Sequence, residues 1–103
     1  MHLSSAHNVV LLISNFKKPE TISECEIYWF KDTPSGGCDL PDNWKLYYKS
    51  DNQWKEVNAE TPYPLIEDKM NKIAFNPVKT SAVKLEVGLS KIYSAGVHEW
   101  IIN

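Results

Sequence analysis

From Val83 to Leu89 the chain alternates strictly: Val83, Leu85, Val87 and Leu89 are apolar, with Lys84, Glu86 and Gly88 between them. Successive side chains of a β-strand point to opposite faces, so this pattern describes a strand with one face buried and one in water. The same period recurs elsewhere. Cys25, Ile27 and Trp29 alternate with Glu24, Glu26 and Tyr28 between Ile22 and Phe30, and the charged positions require water, which turns Cys25, Ile27 and Trp29 inward. Trp44, Leu46 and Tyr48 form a third inward set. The polar turn Ser50–Gln53 and the return Trp54–Val57 make this segment a hairpin. Ile73, Phe75 and Val78 mark another strand, with Pro77 confining its end to an edge or a bulge. Val97–Ile102 closes the chain as a last strand. Val9–Ile13 is a continuous apolar run extending to Phe16, which predicts a strand buried on both faces and ended by Lys17-Lys18-Pro19-Glu20. No window of about three turns holds a helical stripe. The expected fold is all-β: an antiparallel, jelly-roll-like β-sandwich whose core joins Trp44, Leu46, Val83, Leu85, Val87 and Trp100 in one cluster.

Composition narrows the function. The chain has 103 residues, 43% hydrophobic and 23% charged, which is globular usage and suits one domain over 1–103, with 1–8 irregular. A net charge of −2 leaves no basic footprint for nucleic acid. No apolar run approaches the roughly 20 residues that span a bilayer, so no membrane partner is expected. The first seven residues show neither the basic start nor the apolar stretch of a secretion signal. Four Trp, five Tyr and three Phe against four Gly suit strands, and also a surface that grips flat apolar faces.

Catalysis finds little support. His2, His7 and His98 are attached to no Ser or Cys motif, and phosphate-loop, dinucleotide and zinc spacings are absent from the sequence. Asp32, Asp39 and Asp42 share one loop, where acids ordinarily act as solvated turn formers. Cys25 lies on a strand and Cys38 in the long connection Lys31–Asn43, and two free thiols are expected. A connection of that length in a compact domain is usually functional or disordered. Phe30 and Tyr63 sit where the chain enters irregular structure, which makes them candidate exposed platforms for a sugar ring. Asp32, Asp39 and Asn43 are the candidate partners for its hydroxyls.

Several motifs recur in an order that resembles a known family: Tyr28-Trp29-Phe30-Lys31-Asp32-Thr33, then Gly36-Gly37-Cys38-Asp39-Leu40-Pro41, then Trp44–Lys49, Trp54-Lys55-Glu56-Val57 and Glu99-Trp100. They resemble the discoidin-like (coagulation factor type C, galactose-binding-like) β-sandwich modules found C-terminally in Bacteroidetes glycoside hydrolases of the β-L-arabinofuranosidase type. The likeness runs from about Val9 to the C-terminus. Two positions depart from it: Lys31 stands where the family has Asp, and Asp39 where it has Arg. Family members also carry additional strands before the one matching Val9–Phe16. In related modules a closing-strand Glu contributes to a structural calcium site, so Glu99 is the candidate metal ligand, and no other cofactor is implied.

The resemblance implies a non-catalytic carbohydrate-binding module, or a fragment of one, associated with a glycosidase catalytic domain. Its location is then periplasmic or extracellular if that glycosidase is secreted. The alternative is a structural module that docks on a catalytic domain or partner without binding sugar. Exposed aromatics at the long-loop end favour the first reading, and an apolar patch on a flat face favours the second. With the family's first strands missing, Val9–Ile13 would border a gap, and a homodimer with Val10 or Leu12 partly buried at the contact is expected. Folding back of His2–His7 over that edge is the monomeric alternative.

Overall fold

The computed structural model describes residues 2–3, 9–30, 40–67, 69–89 and 95–103, and its regular structure is antiparallel β throughout. The strands are β1 (His2–Leu3), β2 (Val9–Phe30), β3 (Asn43–Ser50), β4 (Gln53–Glu56), β5 (Met70–Gly88) and β6 (Ala95–Ile102). They hydrogen-bond in the order β1-β6-β2-β5-β3-β4.

β2 and β5 are the spine. They pair along their lengths, from Val9 opposite Gly88 to Tyr28 opposite Met70. At about 3.3 Å per residue a straight β2 would reach about 70 Å, whereas the longest dimension of the molecule is 42 Å. The ribbon therefore folds over on itself. Its register breaks in two places. Phe16–Pro19 face Ser81 alone, because Pro19 has no N–H to donate to a ladder and the flanking lysines are solvated. Ser23 faces Phe75–Pro77, which puts Pro77 in a bulge, one of its two expected places.

Folding produces two layers. The first holds Val9–Asn15 of β2, Ala82–Gly88 of β5, β3 and β4; the second holds Glu20–Phe30 of β2, Met70–Thr80 of β5, β6 and β1. The layers meet where Trp29 of the second packs edge-on against Trp44 of the first, with ring centroids 6.2 Å apart. This is the antiparallel β-sandwich that the alternation demands. Cys25, Ile27, Trp29, Leu46, Val83, Leu85 and Val87 are fully buried, and Trp44 nearly so. At the fold in the ribbon the buried Thr80 hydroxyl accepts from the Lys49 N–H (3.1 Å) and donates to the Lys49 carbonyl (2.8 Å), holding the end of β3 beyond its last ladder pair. The β3–β4 hairpin turns at Asp51-Asn52, with φ of 51° and 64°. Both residues tolerate the left-handed region that a two-residue hairpin turn requires.

Four expectations are corrected. Val9–Ile13 is not buried on both faces: Val9, Leu11 and Ile13 are about half exposed, because no described residue covers them on the outer face of this layer. Lys17–Glu20 does not end the strand, since the ladder absorbs the extra residues as a bulge. Ile73–Val78 and Val83–Leu89 belong to one strand, β5, apart from Leu89 just past its end. Trp100 is only partly buried, packed against the core from β6, whose far edge β1 covers only at Ala95 and Gly96.

Candidate functional site

The Trp29–Trp44 contact brings one end of the sandwich together. β2 ends there at Phe30, β3 begins at Asn43, β5 ends at Gly88, and β6 begins at Ala95, with Gly96 paired to Phe30. The connection 31–39 therefore has both its roots at this end. Asn43 lies opposite Gly88 in the ladder, and its carboxamide occupies the space a side chain at 88 would fill. A Cβ on Gly88 would stand 2.7 Å from Asn43 Oδ1 and 2.9 Å from Nδ2. A side chain at 88 would push this carboxamide aside, and with glycine there it rests as an exposed planar amide at the rim. The Asp42 N–H, donating to the Gly88 carbonyl at 2.7 Å, fixes the backbone that carries it.

Tyr63 reaches the same end from the segment after β4. Its ring packs edge-on against Trp44 at 4.9 Å, and the Trp44 indole N–H donates to the Pro64 carbonyl at 2.7 Å. The hydroxyl accepts from the Leu46 N–H (3.3 Å) and donates to Glu56 Oε2 (2.9 Å). Burial pushes the phenol well above its ordinary range; the Leu46 N–H opposes this and Glu56 adds to it. Tyr63 is thus a protonated tie between β3, β4 and the segment that follows, partly buried rather than the exposed platform expected of it. Buried Asn71 anchors the next stretch: its Oδ1 accepts from the Ile66 N–H (2.7 Å), and its Nδ2 donates to the carbonyls of Ile66, Lys69 and Ile27.

Of the other site candidates, Phe30 contributes the last backbone pair of β2, while Asp32 and Asp39 lie outside the described residues. The structure thus brings the Phe30 backbone, Asn43 and Tyr63 to one end. Glu99 is exposed on β6 opposite Tyr28, at a register shift. Calcium takes six or more oxygen ligands, and no three His, Cys, Asp or Glu side chains converge among the described residues.

The buried Cys25 is a free thiol, pushed up to about 12 mainly by burial, with the Trp100 indole pulling weakly the other way, so at neutral pH it is no nucleophile. Cys38 lies outside the described residues. The Trp29 and Trp100 indole nitrogens are buried without a well-formed hydrogen bond.

One cluster escaped sequence reasoning. Tyr47 of β3 and Trp54 of β4 lie on the outer face of the first layer, where the Lys84 ammonium sits 4.9 Å from one ring centroid and 5.1 Å from the other. The readable signal was Trp54 opposite Lys49 across the hairpin, a pairing that turns this tryptophan outward with the lysine.

No family model matches the sequence. The fold is similar to that of a chain from the Streptococcus pneumoniae β-galactosidase BgaA, with a TM-score of 0.80 over 97% of this chain and 71% of that one, at 16% identity. At that identity the likeness is one of architecture. Among the described residues no helix is long and apolar enough to cross a membrane.

Proposed function

We propose that this chain is a non-catalytic, discoidin-like module of a carbohydrate-active enzyme, and that it binds carbohydrate at the end of the sandwich where β2 and β3 meet the 31–39 connection. The observation that carries this reading is the exposed Asn43 carboxamide at the rim over Gly88, at the end of the sandwich where β2 finishes at Phe30. A planar amide both donates to and accepts from sugar hydroxyls. Phe30 supplies the stacking face in this proposal, and Asp32 and Asp39 on the loop supply further acceptors. The architecture shared with a β-galactosidase chain and the ordered motifs both support an accessory role beside a glycosidase.

Titration with galacto- and arabino-configured oligosaccharides, followed by tryptophan fluorescence and amide chemical shifts, tests the proposal. The expected dissociation constants are millimolar, worth about −4 kcal/mol, and Asn43→Ala and Phe30→Ala weaken the response while Trp54→Ala leaves it unchanged. A flat response across plant and host polysaccharides overturns it. A second reading, a docking module without sugar binding, is favoured by one observation: Val9, Leu11 and Ile13 are 46%, 51% and 53% exposed on a flat face.

A further inference from the structure

One edge of β2 from Val9 to Ile22 pairs with β5, and among the described residues the opposite edge of Val9–Ile22 pairs with nothing. β6 takes that second edge only from Cys25 onward, and Asn103 extends the pairing to Ser23 and Glu24. Among the described residues, the line along which the chain pairs with itself therefore stops partway down β2. Beyond that point, backbone N–H and C=O groups are left open beside apolar side chains on both faces. Val9, Leu11 and Ile13 stand on the outer face, and Val10, Leu12 and Phe16, packed against the core, are only partly buried on the inner one.

These features describe the missing neighbour. Unpaired strand groups are satisfied in register only by another strand, and a strand flanked by apolar residues on both sides must itself be apolar on both faces. The chain contains one such run, Val9–Ile13 itself. We propose that a second copy of this chain pairs with this edge, antiparallel about Leu11, to form a two-fold dimer. In that register Val9 lies across from Ile13 and Val10 across from Leu12, so every cross-strand pair is apolar and none sets like charges opposite one another. Lys17 and Lys18 set the register, because moving the two-fold axis toward the C-terminus places them against Leu11 and Leu12. The dimer continues the β6–β2 pairing line into a sheet shared by the two copies, and it stands independently of the carbohydrate reading.

Sedimentation velocity across a micromolar concentration series, on the full chain, tests this. The expected result is a dimer, which Leu11→Lys weakens roughly 100-fold or more, since two lysines then face each other and two leucine contacts are lost. Leu11 is half exposed, so the variant keeps the monomer fold, checked by near-ultraviolet circular dichroism. Ile66→Lys, at the similarly exposed Ile66, leaves the dimer intact. Hydrogen exchange supplies the second readout, with Val9–Ile13 amides losing protection on dilution and in Leu11→Lys. A monomer at high micromolar concentration overturns the proposal, whether or not those amides are protected, as does a dimer indifferent to Leu11→Lys.

Discussion

The two halves of β2 belong to one strand and have opposite fates. Val9–Ile13 contains no polar residue, yet its outer side chains are about half exposed and its inner ones only partly buried. Cys25–Trp29 carries Glu26 and Tyr28 at alternate positions, yet Cys25, Ile27 and Trp29 are fully buried. The more polar segment is the better buried. Cys25–Tyr28 is flanked by β5 on one edge and β6 on the other, whereas among the described residues Val9–Ile13 has β5 alone. Burial thus follows the number of neighbouring strands and the layer packed opposite; hydrophobicity determines which face turns inward only once those neighbours exist.

The largest expected effect breaks this contrast at its stronger side. Trp29→Ala removes the ring that joins the layers and costs about 3–5 kcal/mol, while Leu11→Ala in the monomer costs about 1 kcal/mol or less. Urea unfolding of both variants reads the difference, and equal losses would mean that the exposed half contributes as much to the fold as the buried one.

A smaller effect appears with pH. Burial raises the Cys25 thiol from an ordinary 9.0 to about 12, so the folded state favours the protonated form. Its contribution is complete below pH 9 and is lost as pH rises toward 12, with a slope of at most about 1.4 kcal/mol per pH unit. Tyr63, raised in the same sense, adds a loss that begins near the ordinary phenol value of about 10. Cys25→Ala should flatten the alkaline decline in chemical unfolding between pH 9 and 10, before Tyr63 contributes; an unchanged slope would place the thiol in a wetter site than the structure gives it.

The smallest effect concerns the β3–β4 hairpin, in the layer that also holds Val9–Ile13. Asn52→Gly relieves a left-handed residue at φ 64° and should stabilise by about 0.5 kcal/mol, a thermal shift of a few degrees. A loss of stability instead would show that the Asn52 side chain supports the turn.

Much of this contrast was readable one strand at a time. Alternation placed Cys25, Ile27, Trp29, Trp44, Leu46, Val83, Leu85 and Val87 inward correctly, because period two is a local property of extended backbone. The site was less legible. Phe30 and Asn43 border the long connection in sequence, and the structure adds that their roots meet at one end. That the Tyr63 hydroxyl is committed to Leu46 and Glu56 could not be read, since those partners lie 17 and 7 residues away.

Antiparallel strands, the apolar faces of those strands and the position of the β3–β4 turn are all legible in the residues alone. These follow from side-chain direction and local backbone preference, which need no distant partner. No stretch of sequence settled that β2 and β5 run on through Pro19 and Pro77 or that the ribbon folds over between them. Bulges and bends are held by hydrogen bonds across the sheet, between residues far apart in the chain, so no local pattern announces them.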